Sequence, residues 1–490
     1  MKKLKYISTA FLAAAVLVNS SCKKYLEINT DPNNIVGVPA NAPIPQIMSS
    51  STVQIGFMGG SVESIIQSII VQQYSGQSTG ALNQTQDFDK YNLSPSDQNT
   101  PWGSYYNTTI NNLETVISKA GSTGSPHYKG VAEILRAYTY QCMVDIWGKI
   151  PYTTANKLTD NLTPKLDDDA AIYTDLLKQI DQGIVDINAA NPSSASLDPN
   201  LSSTIYQTSS WAASKAQWQK FANTLKLRMY LHYSKKDPAF AATQINALVN
   251  SGVTFMASNS DSFQMLFTST AGDRNPIYNF ELSRANYLVA NNFLVSMMQA
   301  KNDPRIPFYF LPVGKTTAYK GAVGGAPAGA AIYSHIGTYL TGTAGEAPIR
   351  MLTYAEYNFI RAEAALNYAT PGGTAQSFFQ AGITASMLDA GVSVANIATY
   401  IAANGTLSTN PATALQQIIN EKYTANIEVV CEPWTDWRRT GYPTISPTTN
   451  PLSLLTYIPR SFYYPQSETD SNPNIVQKAD MSQRVFWDIP

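Results

Sequence analysis

Apolar residues recur at three- and four-residue spacings in several stretches of the chain, the period of a helix with a buried face. From Val131 to Trp147 the stripe is Val131, Ile134, Leu135, Tyr138, Cys142 and Ile146, and Gly148 and Pro151 stop it. Trp218, Phe221, Ala222, Leu225 and Met229 form a second stripe, ending before Asp237-Pro238. Ala355, Phe359, Ala362 and Leu366 predict a helix from about Thr353 to Tyr368, closed by Pro371-Gly372-Gly373, and another follows from Ala375 to Leu388. Leu415 to Val430, Ile172 to Ile187 and Asn286 to Ala300 are predicted as helices on the same grounds.

Helix pairs joined by short turns predict TPR-like packing, in which each pair buries a face against its neighbour. The W-L-G-Y signature of regular TPR repeats is absent, so the pattern supports irregular helical hairpins. Long stretches rich in Gly, Ser, Thr and Asn separate them: Gln77 to Pro101, Ser193 to Ser210, Ser251 to Pro276 and Leu311 to Pro348. Loops of this length usually carry function or disorder.

The amino terminus has a pattern of its own. Lys2, Lys3 and Lys5 precede an apolar run from Tyr6 to Val18, about 13 residues long, the length of a signal-peptide core and too short for a permanent span. Ser20 and Ser21 then precede Cys22, as in a bacterial lipoprotein signal, although Asn19 stands where such signals usually carry an apolar residue. Residues 1–21 are therefore read as a signal peptide, 22–45 as a lipidated, proline-rich tether beginning at Cys22, and 46–490 as one domain. The competing reading is a secretory peptide cleaved elsewhere, with Cys22 incidental.

Composition narrows the function. The formal net charge is -1 and 14% of the residues are charged, which argues against nucleic-acid binding. Asn, Gln, Ser and Thr, with 29 Tyr and 7 Trp, give a neutral surface able to hydrogen-bond and stack, as sugars or neutral peptides require. With three cysteines, three histidines and no CxxC pair, a zinc site is not expected. Cys142 and Cys431 read as buried free thiols; one disulfide between them is the alternative that spacing leaves open. No HExxH helix or phosphate loop occurs.

Taken in order along the chain, these segments resemble the SusD/RagB family, its SusD-like subset. The resemblance rests on Leu26 to Asn34 after Cys22, on Ile134 to Tyr138 through Asp145 to Tyr152, and on Trp218 to Arg228. It continues with Asn302-Asp303-Pro304-Arg305, Tyr354 to Ala365, Trp437 to Pro443, Ile458 to Arg460 and Tyr464 to Glu468. The resemblance implies a mostly α fold, with four TPR-like helical hairpins packed against a loop-rich, irregular half. It implies a surface lipoprotein of the outer membrane that captures a glycan, or in some members a peptide, and passes it to a SusC-type TonB-dependent barrel, without chemistry or cofactor. A hydrolase of the same nutrient and a helical protein-binding scaffold are the competing classes.

Most of these motifs also have structural readings. Trp437 to Pro443 ends a helix, with Arg438 and Arg439 paired to carboxylates such as Asp436 or Glu432. Glu356 and Glu363 share a helical face and read as solvated or salt-bridged, with Arg361 as a partner. Asp167 to Asp169 favour a helix N-terminus. For the ligand, the segment Gln77 to Tyr106 leads. Phe88, Tyr91 and Trp102 lie outside any helical stripe, among Asn83, Gln84, Gln86 and Asp87, and Tyr287 is a weaker candidate past Asn275-Pro276. The competing reading is that these rings pin the loops to the body or contact the barrel.

Overall fold

The stripe from Val131 to Ile146 lies in a helix, Pro126–Trp147, that is buried on nearly every side, including Glu133, Gln141 and Asp145. The computed structural model describes residues 42–490 except 77–83, 158–160, 192–196, 202, 286, 326–328, 449–452 and 454. Cys22, the signal peptide and Asn83 lie outside the described residues. The expected tether gives way before Pro45, because Pro43 starts the helix Ile44–Met58.

Side-chain caps fix most helix starts, each satisfying a backbone N–H that has no partner within the helix. Asp168 accepts from Ala171 N to open Asp169–Asn188, and Ser210 accepts from Ala213 N to open Trp211–His232. Asp237 opens Pro238–Asn250, Thr353 opens Tyr354–Tyr368, and Thr374 opens Ala375–Asp389. Four helix pairs carry the TPR-like half: Pro126–Trp147 on Asp169–Asn188, Trp211–His232 on Pro238–Asn250, Tyr354–Tyr368 on Ala375–Asp389, and Pro411–Ala425 on Glu432–Thr440. The expected mostly helical, TPR-like fold is the one observed.

Two predicted helices differ. The stretch from Asn286 is not one helix, because Leu288–Ala290 pairs as an antiparallel strand with Tyr74–Gly76. Asn291 then accepts from Phe293 N and starts Asn292–Ala300. The helix expected over Leu415 to Val430 is Pro411–Ala425, opened by the Asn410 cap. It stops before Glu428 and Cys431, whose φ angles are 60° and 68°. Within the long loops, short elements form at Gln84–Asp89, Pro95–Gln98, Asn99–Gly103 and Phe263–Met265, the last paired with Ile349–Leu352.

The centre of the molecule is ionic as well as apolar. Arg228 grips Glu356 with two hydrogen bonds of 2.8 Å each, and Glu432 lies 3.4 Å from the same guanidinium. Lys422 reaches Glu432 at 2.7 Å and Asp436 at 2.8 Å. Arg439 bonds Asp436 at 2.7 Å and Glu363 at 2.8 Å. The predicted Arg439–Asp436 pairing is observed. Glu356 and Glu363, however, are buried, and their partners are Arg228 and Arg439 rather than Arg361. These seven residues come from four helices, so the network holds four chain segments in register. Removing one member would leave its partner as an uncompensated buried charge.

A candidate ligand-binding groove

The segment from Gln84 to Tyr105 forms one wall of an open groove of about 580 Å³. Phe57, Met58, Val62 and Ile65 contribute its apolar side, and Phe280 and Arg284 face them from the Pro276–Ser283 helix. Local structure explains how these walls meet. A Cβ on Gly60 would stand 2.4 Å from Pro276 Cγ, so only glycine lets the turn touch the start of that helix. Asn275 secures the same point from the other side. Its Oδ1 accepts from Ile277 N at 2.8 Å, and its Nδ2 donates to Ala347 O at 2.8 Å and Leu340 O at 3.1 Å.

The groove offers aromatic faces, with Asp97 and Arg284 as the charged residues of its lining. Phe57 is 37% exposed and meets Phe267 edge-on. Phe280 is half-buried, with the Arg284 guanidinium 5.3 Å from its ring centre and Tyr287 edge-on beside it. Asp97 is already satisfied: it accepts from Ser94 N at 2.7 Å, Ser94 Oγ at 2.8 Å and Gln84 Nε2 at 2.6 Å. Its carboxylate therefore holds the wall together. Tyr105 lines the floor, and its buried hydroxyl has no partner among the described residues. Beneath lies Glu63, whose carboxyl is pushed up to about 8 by burial, against a weak hydrogen bond from Gln67 and with repulsion from Asp97 adding to it.

The structure brings the predicted segment to the groove but not the predicted rings. Phe88, Tyr91 and Trp102 are 1%, 1% and 4% exposed, so the expectation that they stand open in a loop is corrected. The short helices of the segment turn these rings inward. Trp102 packs on Tyr106, Trp147 and Tyr464, and the Tyr91 hydroxyl accepts from Thr448 N at 3.3 Å. Tyr287 is the one candidate at the groove edge, joined to the wall through Thr85 Oγ, which donates to its carbonyl at 2.9 Å.

Phe57, Phe280 and Arg284 were not singled out from the sequence. The available signal was position. In Ile44–Met58 the buried residues Ile44, Ile47, Met48, Ser51, Ile55 and Met58 form one stripe, and Phe57 falls off it. In Pro276–Ser283 only Ile277 is buried. Among the described residues, no group of three or more His, Cys, Asp or Glu is placed to hold a metal ion, and no helix is long and apolar enough to cross a membrane.

Comparison with known proteins extends this picture. The family model for SusD-like proteins, described as starch-binding and associating with the outer membrane, matches residues 41–465. A chitin-binding SusD homologue from Flavobacterium johnsoniae has a similar structure: TM-score 0.76, 23% identity, covering 91% of this chain and 98% of that one. A SusD-like protein from Bacteroides thetaiotaomicron superposes with TM-score 0.76 at 22% identity, covering 91% and 99%. A SusD homologue from Bacteroides fragilis gives TM-score 0.72 at 23% identity, covering 88% and 94%. At these identities the likeness establishes the fold. No curated protein sequence matches the chain.

Proposed function

The chain belongs to the SusD-like family, whose members associate with the outer membrane, and from that premise we propose that it captures a glycan in the groove between Phe57 and Phe280. The observation that carries this reading is a pair of half-open aromatic side chains facing across a groove whose wall carboxylate, Asp97, is already satisfied and whose guanidinium, Arg284, lies beside the Phe280 ring. A sugar ring stacks its C–H face on such rings, and Gln84, Ser96 and Thr100 present neutral groups for its hydroxyls. The chitin-binding neighbour supports a glycan over a peptide. The protein binds without turnover. It is tethered through lipidated Cys22, faces the exterior and hands its ligand to a SusC-type TonB-dependent barrel.

Calorimetric titration of the soluble body with starch and chitin oligosaccharides, and with neutral peptides in parallel, tests the reading. Phe280→Ala should weaken glycan binding by about 1–3 kcal/mol, the usual cost of truncating a central aromatic contact, while the thermal midpoint stays put. Wild-type affinity in both Phe280→Ala and Phe57→Ala would remove the groove from consideration. Release of shortened sugars during the titration would restore the hydrolase reading.

A further inference from the structure

Away from the groove, the fold brings together two cysteines that lie 289 positions apart in sequence. Cys142 is in the last turns of Pro126–Trp147, and Cys431 immediately precedes Glu432–Thr440. Cys431 Sγ lies 3.6 Å from the Cys142 carbonyl oxygen. In this structure both are buried free thiols, as the sequence reading expected, and their side chains are close enough to interact.

The placement of Cys431 is tightly determined. Its N–H donates to Gln67 Oε1 at 2.6 Å, and its φ of 68° is in the left-handed region that side chains with a Cβ avoid. A glycine would adopt this backbone without strain. The chain instead holds a thiol there and aims it at the only other cysteine of the described residues. Tyr105 and Tyr138 flank the pair.

We propose that Cys142 and Cys431 are a disulfide-forming pair, oxidised as the protein folds outside the cytoplasm. The oxidant is a disulfide-bearing carrier, small thiol or oxidoreductase, acting by exchange. One cysteine thiolate attacks a sulfur of the carrier, giving a mixed disulfide and one released carrier thiol. The second cysteine thiolate then attacks the protein sulfur of that mixed disulfide, forming the Sγ–Sγ bond and expelling the second carrier thiol. Two protons and two electrons leave the protein, and the carrier leaves reduced.

Burial sets the timing. The Cys431 thiol is pushed up by burial and by its hydrogen bond with Cys142, so little thiolate exists once the fold has closed. Exchange therefore precedes final packing, and the finished bond resists external reductant. The crosslink ties the central helix to the segment that carries Glu432 and Asp436 of the ionic network. The inference depends on an extracytoplasmic location and is independent of what the groove binds.

The test uses the full chain, made with its own leader and recovered from native membranes. Protein is acid-quenched, unfolded in guanidinium with N-ethylmaleimide and no reductant, then digested and analysed by mass spectrometry. The expected species is one linked peptide pair containing Cys142 and Cys431, lighter by two hydrogens than the sum of its parts and split by reductant. Maleimide on both cysteines, or a link from either one to Cys22 or to a small thiol, overturns the proposal. Cys431→Ser gives the second measurement. Cys142 should then become fully alkylated in the unfolded protein, and the thermal midpoint should fall by several degrees to match that of the reduced, refolded wild type. A variant midpoint equal to that of the untreated wild type also overturns it.

Discussion

Trp102 sits between Tyr106 at 4.8 Å and Trp147 at 5.1 Å, ring centre to ring centre, and this neighbourhood decides what truncating it does. Trp102→Ala should cost about 3–5 kcal/mol of stability, as expected for emptying a packed aromatic site. Glycan affinity per folded molecule should be retained. Denaturant unfolding and titration of the same preparation check both; a specific loss of affinity with unchanged stability would return Trp102 to the ligand. Carboxylates show the same dependence on surroundings. Burial pushes Glu63, Glu281 and Glu428 each up to about 8. Between about pH 4.5 and 8 the unfolded chain has released these protons and the folded chain still holds them. Folding is therefore favoured by these groups below about 4.5, and their contribution is lost as pH rises through 8. Burial also raises Glu421, but Lys301 and Arg305 override it and hold that carboxyl at about 2. Its contribution is lost only in strong acid, outside this window. Glu63→Gln keeps the side-chain shape and removes one titration. It should flatten the fall of stability between pH 5 and 8 by up to about 1.4 kcal/mol per pH unit. Unfolding curves at four pH values read this directly, and an unchanged slope would mean that Glu63 is ionised in the native protein.

At the scale of elements, two glycines set a close contact between the helices Pro126–Trp147 and Asp169–Asn188. A Cβ on Gly130 would lie 2.6 Å from Gly183 O, and one on Gly183 would lie 2.9 Å from Gly130 O. Alanine is the better helix former by about 1 kcal/mol, yet here it would push two backbones apart. Gly183→Ala should therefore destabilise by about 1–3 kcal/mol, the usual cost of overpacking. Gly121→Ala, in a helix where nothing lies within 4 Å, should stabilise by roughly 0.5–1 kcal/mol. Paired thermal melts check the contrast, and equal shifts for the two variants would show that the helices separate freely. The same distinction explains what was legible in the sequence. Helices opened by a side-chain cap and striped on one face, such as Asp169–Asn188, announce themselves locally. The strand Leu288–Ala290 does not, because three apolar residues fit either structure and the deciding partner, Tyr74–Gly76, is more than two hundred positions away. The groove was half legible for a related reason. The segment was marked by its polar composition, but which rings face outward depends on the short helices that composition does not reveal. Phe57 is exposed and Phe280 half-buried because they fall off stripes whose buried faces only tertiary contacts define.

For the whole molecule, neutrality limits how it can be held at a membrane. A chain with a formal net charge of -1 and 14% charged residues carries no long basic block to hold it on an anionic surface, and among the described residues no helix is long and apolar enough to span a membrane. The attachment proposed above is through the lipid expected on Cys22 and a protein partner. A single acyl chain gives only marginal binding, whereas several chains, or one chain plus a second contact, give stable anchoring. The two contributions separate by experiment. Native membranes solubilised in mild detergent should yield the wild-type protein together with a large β-barrel in near-equal amounts. Cys22→Ala should move the protein out of the membrane fraction and abolish lipid labelling, while its glycan titration stays that of wild type, because the groove is built wholly from residues between Gln54 and Arg284. If Cys22→Ala remains in membranes with its lipid label intact, the anchor lies elsewhere. If the anchored wild type comes away alone, capture is not coupled to a barrel, and the protein holds its glycan at the surface for another acceptor.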